Sequence, residues 1–439
     1  MKKNPVVWRA STLHFLDDPA RTPTKDAVEF HEDGAVVVDD GHILAAGAYQ
    51  SIAKHLPAAC ETYHLPGKLL IPGFVDTHVH YPQLGMTGAC GEQLIQWLER
   101  YTFPAEAAFD SPDYAREVAR FFLDQCLAHG TTTALVFGAV FPESVTAFFE
   151  AASERQLRMI AGKVMMDRNA PDYLLDTATT SYEESQQLIR HWHGKNRLAY
   201  AVTPRFAPTS TPNQLKAARR LLDEFDGLYL HTHLAENLKE VAWTHKLYPD
   251  SQNYLDVYDQ YGLLGSRSFF AHAIHLCEAS WQRLADTGSS LSFCPSANLF
   301  LGSGLFDFQK ASSLNINIGL GTDIGAGTSL CQLESMKSAY QVCQLQGTSL
   351  SPLSAFYLAT LGGARALGLS DKIGSFTPGN EADFLILNPR ATPLLAFRMK
   401  QAKTLEERLG IMMTLGDDRL IENTVIMGET WQKKTGEYK

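Results

Sequence analysis

Short apolar runs recur along the middle of the 439-residue chain, each followed by a stretch compatible with a helix. Eight of these runs have the length of buried strands: residues 69–76, 131–138, 158–166, 198–204, 228–233, 268–272, 290–294 and 316–322. Strands that alternate with helices predict βα units around a parallel sheet, and eight units favour a closed (β/α)8 barrel of the TIM type. A doubly wound open sheet is the alternative, although the chain has no complete Gly-x-Gly-x-x-Gly motif.

Both ends of the chain carry a different, strand-only pattern. Residues 35–46 predict two strands around Asp40-Gly41, a dipeptide typical of a tight hairpin turn. Residues 382–387 and 424–431 predict further strands, the second turning at Gly428. We therefore predict a small β-sandwich domain made of residues 1–68 and 379–439, beside a barrel domain of residues 69–378.

Charge and composition restrict the possible partners. A formal net charge of −10 disfavours a nucleic-acid surface, which needs clustered Lys and Arg, and favours a small neutral or cationic substrate. No apolar run approaches the ~20 residues of a membrane helix, and the N-terminus lacks a signal-peptide pattern. The seven cysteines are odd in number and form no Cys-x-x-Cys pair, which predicts reduced thiols. We expect a cytoplasmic protein that binds neither nucleic acid nor membrane.

The first barrel strand ends in a His-x-His pair, His78 and His80. Strand side chains alternate between two faces, so both imidazoles point the same way. Two imidazoles that project together suit a divalent cation such as zinc, although chance alone also produces such pairs among 15 histidines. Because active sites in barrels lie at the C-terminal strand ends, the other strand ends test the hypothesis.

Polar residues at four other strand ends support a metal site. Arg205, His233, His272 and Asp323 end the fourth, fifth, sixth and eighth predicted strands. Histidines scattered at random would not follow strand ends, so we predict that these residues converge at one barrel mouth. Imidazole and carboxylate ligands that leave one coordination position free are typical of a catalytic metal, which activates a water molecule.

Two carboxylates near this cluster are candidates for proton transfer. Glu236, three residues beyond His233, could act as general acid and base, or could be a solvated acid at a helix start. Asp323 could bind the metal and accept a proton from the water, or could cap the helix near Ser329.

Two further histidines have alternative roles. His272 either orients the water and stabilises the addition intermediate, or is a structural histidine. His231 faces the same side as His233 but lies deeper, which predicts a hydrogen-bonded core residue.

Seven stretches distributed over nearly the whole chain form a recognisable set of motifs. They are residues 72–83 (PGFVDTHVHYPQ), 167–172 (DRNAPD), 203–208 (TPRFAP), 231–237 (HTHLAEN), 296–304 (SANLFLGSG), 321–327 (GTDIGAG) and 378–383 (PGNEAD). Together they resemble the amidohydrolase superfamily, in its branch of barrel-type metal-dependent deaminases. The cysteine-based deaminase signature, His-x-Glu with Pro-Cys-x-x-Cys, is absent from the sequence.

The resemblance implies a set of ligands and roles. One Zn2+ per chain would be held by His78, His80, His233 and Asp323, with Glu236 and His272 assisting in catalysis; Fe2+ also suits these ligands. Gln83, Arg205 and Phe206 would bind the base together with His80, His233 and Glu236. Their chemistry agrees, since Gln donates and accepts, Arg donates to a ring carbonyl, and Phe supplies an apolar face.

The substrate implied by the resemblance is the free purine base guanine, deaminated to xanthine and ammonia, and the implied assembly is a homodimer. Other readings stay open at this point. Arg205 could be a surface ion-pair residue and Phe206 a core residue. The same barrel could act on another aminopurine, a cytosine-like base or a triazine, or could be a metal-free scaffold or binding protein.

Overall fold

The computed structural model describes residues 5–57 and 60–431, which form sixteen strands in two sheets. The strands are β1 (Val6–Phe15), β2 (Val28–Asp39), β3 (His42–Ala48), β4 (Glu61–Pro72), β5 (Phe74–His80), β6 (Thr131–Phe137), β7 (Arg158–Gly162), β8 (Val164–Met165), β9 (Ala199–Pro204), β10 (Tyr229–Leu234), β11 (Ser268–His272), β12 (Ser290–Phe293), β13 (Ile318–Leu320), β14 (Phe384–Leu387), β15 (Ile421–Ile426) and β16 (Glu429–Trp431).

Eight helices of ten or more residues lie within the described residues. They are α1 (Pro112–Ala128), α2 (Pro142–Glu154), α3 (Ala178–Trp192), α4 (Pro212–Glu224), α5 (Leu238–Leu247), α6 (Glu278–Thr287), α7 (Gln332–Leu345) and α8 (Leu405–Leu415). Shorter helices span Thr24–Ala27, Tyr49–Ile52, Leu94–Trp97, Phe103–Ala107, Tyr254–Asp259, Pro295–Phe300, Phe308–Ser313, Pro352–Tyr357, Gly363–Ala366 and Pro393–Met399.

Strands β5 to β13 form the predicted parallel barrel. Their order is β5-β6-β7-β9-β10-β11-β12-β13, with β8 paired to β9 and helices between successive strands. All residues of β5 and β6 are buried, as expected for parallel strands that are covered on both faces. The (β/α)8 architecture is therefore confirmed, although the predicted third strand is divided at Lys163 into β7 and β8.

The first predicted strand, residues 69–76, belongs to two different strands. Its first part lies in β4 and its last part begins β5, with the break at Pro72-Gly73. A Cβ on Gly73 would lie 2.1 Å from Oγ1 of Thr132, so only glycine permits this approach to β6. The apolar pattern hides the break because the strand residues on both sides of it are buried.

The other sheet is a separate β-domain assembled from both ends of the chain. Its order is β16-β15-β14-β4-β1-β2-β3. The predicted hairpin at Asp40-Gly41 is confirmed, with φ values of 48° and 78°, and Met427-Gly428 forms the same kind of turn at 49° and 79°. Strand β4 leads from this sheet into the barrel, and the domain boundaries at residues 68 and 378 stay a prediction.

Two findings bear on the predicted environment. No helix among residues 5–57 and 60–431 is both long and apolar enough to span a bilayer. All seven cysteines are free thiols, as their odd number and spacing predicted.

Packing between β7 and β9 generates a stability prediction. A Cβ on Gly162 would lie 1.8 Å from the backbone oxygen of Ala201, so Gly162→Ala must push two barrel strands apart. Overpacking of this kind costs about 1–3 kcal/mol, and we expect a lower midpoint in chemical denaturation. The control is Gly265→Ala, where an added Cβ meets no atom within 4 Å. Equal midpoints for the two variants would contradict this account of strand packing.

Candidate active site and metal centre

A cavity opens at the C-terminal ends of the barrel strands. Its lining contains the predicted polar residues together with an apolar rim: His80, Gln83, Leu94, Trp97, Leu98, Arg205, Phe206, His233, Glu236, His272, Leu301, Asp323 and Ala326. His78 is fully buried beneath it. The structure therefore brings together every residue that the sequence singled out for the site.

Three imidazoles and one carboxylate converge on a single point. Nε2 of His80 lies 3.2 Å from Nε2 of His78 and 3.1 Å from Nε2 of His233. Oδ1 of Asp323 lies 3.3 Å from Nε2 of His78 and 3.5 Å from Nε2 of His80. Ligand atoms bound to a tetrahedral zinc at ~2.0–2.1 Å are about 3.3 Å apart, so these spacings fit a metal ion.

The tautomer of His233 and the neutral state of the three imidazoles support the same fit. Nδ1 of His233 lies 2.7 Å from the backbone oxygen of Arg205, which can only accept, so Nδ1 carries the proton and Nε2 presents a lone pair. Burial lowers the pKa of His78, His80 and His233 well below the usual value, which keeps these imidazoles neutral. Neutral nitrogens packed around one point repel one another unless a cation lies between them.

Two outer contacts hold the imidazoles in place. Nε2 of His231 lies 2.7 Å from Nδ1 of His78, so His231 is the hydrogen-bonded core residue predicted from its depth. Nδ1 of His272 lies 2.8 Å from Oδ1 of Asn298, which turns Nε2 of His272 towards the carboxylates of Glu236 and Asp323, each 3.7 Å away. Partners of this kind orient metal ligands and fix their tautomers.

The positions of the two carboxylates exclude one alternative for each of them. Glu236 is only 3 % exposed, so it is not a solvated acid at a helix start. Asp323 does not cap α7, whose N-cap is Cys331, and instead faces the histidines. Burial, reinforced by nearby Asp323, raises the pKa of Glu236 to about 8, while burial raises the pKa of Asp323 to about 6.

Backbone conformation at two strand ends turns side chains into the cavity. His272 and Asp323 have φ values of 68° and 52°, in the left-handed region that residues other than glycine seldom adopt. Such conformations store strain that the surrounding structure must offset, and they cluster at functional sites.

The opposite wall carries a hydrogen-bonded group that sequence reasoning found only in part. Nη1 of Arg205 donates to both oxygens of Glu106, at 2.9 and 2.7 Å, and Nε2 of Gln83 donates to Oε1 of Glu106 at 3.0 Å. Arg205 is thus a buried residue, not a surface ion-pair residue. Glu106 was missed because it lies on no predicted strand end; its position within the FPAE stretch of the sequence gave no chemical signal.

A short helical segment covers the cavity. Trp97 and Leu98 line it from above, and Nε1 of Trp97 donates to the backbone oxygen of Ala89 at 2.8 Å. Phe206 packs in the same apolar cluster and also lines the cavity, so it is both a core residue and a wall of the site. The result is a pocket with apolar faces and polar groups at its floor and one wall, the usual form of a small-molecule site.

The fold and this arrangement of ligands define a metal-dependent hydrolase of the barrel type, and comparison with known proteins agrees. Residues 69–431 match the amidohydrolase family, to which the chain therefore belongs.

Within that family, guanine deaminases are among the most similar proteins. The chain is 53% identical over 413 residues to guanine deaminase of Escherichia coli strain K12, covering 94% of each chain. The crystal structure of guanine deaminase from Bradyrhizobium japonicum has a TM-score of 0.95 at 36% identity and covers 99% of this chain and 100% of that one. Guanine deaminase from C. acetobutylicum, solved with bound guanine in the active site, has a TM-score of 0.88 at 29% identity, covering 98% and 100%.

The convergence of ligands generates a prediction about metal content. We expect His80→Ala to lower bound metal well below one ion per chain, because the substitution removes a nitrogen that lies within 3.5 Å of three other ligand atoms. Metal analysis by mass spectrometry, with circular dichroism to check the fold, measures this. His245→Ala is the control, since His245 is an exposed residue of α5. Full metal content in His80→Ala, or none in the native protein, would contradict the site.

Proposed function

We propose that this chain catalyses the hydrolytic deamination of guanine to xanthine and ammonia. The observation that carries the proposal is the placement of Glu236 and Asp323 around Nε2 of His272 on the cavity floor, with Gln83 and Arg205 on the wall. The floor has the groups that a hydrolysis needs, and the wall has the groups that recognise a purine base. The guanine deaminases to which the chain is similar support the choice of substrate.

The proposed metal is one zinc ion, held by His78, His80, His233 and Asp323. When bound, such an ion would supply Lewis acidity, which would lower the pKa of a water molecule towards ~7 and favour its attack at neutral pH. Ferrous iron suits the same donor set, and metal analysis of the purified protein distinguishes the two.

Two carboxylates divide the proton transfers. Asp323, whose carboxylate lies beside the ligand histidines, accepts the proton of the attacking water. Glu236, whose pKa burial raises, donates its proton to the ring nitrogen beside C2. It then takes the proton of the added hydroxyl as the new carbonyl forms, while Asp323 passes the proton from the water to the amine, which leaves as ammonia. Oγ of Ser303 donates to Oε1 of Glu236 at 2.9 Å, which fixes the orientation of the acid.

Three residues recognise the base in this proposal. Arg205 presents donors to a ring carbonyl oxygen, Gln83 presents an amide edge, and Phe206 supplies an apolar face. His272 lies close to both carboxylates and stabilises the tetrahedral state. The chain is further proposed to act in the cytoplasm as a homodimer, which size-exclusion chromatography with light scattering tests.

Ammonia release from a panel of free bases tests the function. With the zinc-loaded protein we expect release from guanine and little from adenine, cytosine or an aminotriazine. Asp323→Ala should lower turnover by about 10²–10⁴-fold, because it removes both a ligand and the proton acceptor, while the fold is kept. If guanine releases no ammonia and another base does, the assignment of guanine as the substrate is wrong. Near-native turnover by Asp323→Ala would overturn the assigned chemistry.

A second substitution separates recognition from metal binding. We expect Arg205→Ala to raise KM for guanine and to leave the metal content unchanged, because Arg205 donates from the wall and not from the ligand set. Steady-state kinetics and metal analysis on the same preparation measure both quantities. Unchanged kinetics would exclude a binding role for Arg205.

A further inference from the structure

A buried glutamate on the covering segment links the two base-recognition residues. Glu106 lies on the short helix Phe103–Ala107, is fully buried, and contacts both Arg205 and Gln83. It is not part of the cavity lining and supports from behind Gln83 and Arg205, which are part of it. Its action on a substrate would therefore pass through the side chains of its two partners.

The amide of Gln83 is held from both sides by groups with fixed polarity. A carboxylate paired with a guanidinium offers only acceptors, so the NH2 group of Gln83 must face Glu106. On the other side the backbone N–H of Gly325 donates to Oε1 of Gln83 at 3.3 Å, so the amide oxygen must face that way. A flip of the amide would oppose oxygen to oxygen and nitrogen to nitrogen, which breaks both hydrogen bonds at once.

This fixed orientation has a consequence for recognition. With these two bonds made, the amide of Gln83 still has one free N–H donor and one free oxygen lone pair for a ligand. Because the amide cannot flip, the relative positions of this donor and this acceptor are fixed. A base that lies with its reacting carbon at the metal centre and its ring against Arg205 presents one edge to that amide. A lactam edge, with a carbonyl beside N–H, and an amidine edge, with an amino group beside a bare nitrogen, require opposite orders of donor and acceptor.

We propose that Glu106 is a positioning residue that makes the site select lactam over amidine edges by locking the amide of Gln83 in one orientation. The inference rests on the proposed function, because Gln83 must contact the base. Glu106 thereby determines which purines are used, without contacting the base or the reacting atoms.

The test compares Glu106→Gln with the native protein on guanine and 2,6-diaminopurine, which share the 2-amino group and differ in having a lactam or an amidine edge. The substituted amide can accept or donate, so Gln83 is free to flip. We expect KM for guanine to rise about 10- to 100-fold with a smaller change in kcat, and the preference for guanine in kcat/KM to fall at least about tenfold. If kcat/KM falls equally for both substrates, Glu106 has only a structural role and the inference is overturned.

A binding measurement keeps this test independent of turnover. Calorimetric Kd values of hypoxanthine and adenine, which lack the 2-amino group, should differ strongly for the native protein. The difference should be clearly smaller in Glu106→Gln, where Arg205 alone still favours the carbonyl of hypoxanthine. If the native protein does not deaminate guanine but still binds hypoxanthine more tightly than adenine, the proposed function alone is refuted. If the native protein is active on guanine but its preference is undiminished in Glu106→Gln, the inference alone is refuted.

Two further variants serve as controls. Glu106→Asp keeps an acceptor-only carboxylate and should retain the preference for the lactam edge, even if it binds the base more weakly. If folded Glu106→Asp loses this preference, the proposal is overturned. This variant therefore tests the proposal even if Glu106→Gln fails to fold. Glu381→Gln alters another largely buried glutamate paired with arginines, Arg158 and Arg197, remote from the cavity lining. It should leave the preference unchanged.

Discussion

Closure of the barrel between its first strand and the segment after its last strand is the constraint on which the site depends. The backbone N–H of Asp323 donates to the oxygen of His78 at 2.9 Å, and that of His80 donates to the oxygen of Ile324 at 2.8 Å. These bonds place a carboxylate beside two imidazoles that lie more than 240 positions away in the sequence. Buried Asp76 reinforces the seam by accepting from the backbone N–H groups of His78 and Thr322, each at 3.1 Å.

The same seam explains the glycines that precede Asp323. A Cβ on Gly319 would lie 2.2 Å from Cγ2 of Thr77, and one on Gly321 would lie 2.9 Å from Cβ of His78. Larger residues would hold the strands apart and separate the ligands. The site also concentrates buried polar groups whose charged forms are costly, which is why the imidazole pKa values fall and the carboxylate pKa values rise. Binding of a cation is the natural compensation for that cost.

The cavity separates two tasks between its floor and its wall. The proposed metal ligands and proton-transfer groups lie at or near strand ends, where the barrel holds them in place. The wall contains Gln83 and Arg205, at or just after strand ends, and Glu106 from the segment that covers the cavity supports both from behind. A rigid floor suits the chemistry, which is shared by a broad family, whereas a wall completed by a covering segment can be altered without moving the metal ligands.

The sequence by itself determined the eight-strand barrel, the hairpins and the strand-end positions of His78, His80, His233, His272 and Asp323, because alternation, turn dipeptides and strand ends are local patterns. It placed the first barrel strand too early, since apolar residues continue across Pro72-Gly73 from one buried strand to the next. Only the tertiary structure revealed Glu106 and the contact between His231 and His78. These depend on pairs of residues far apart in the chain, and such contacts leave no periodic trace in a single sequence.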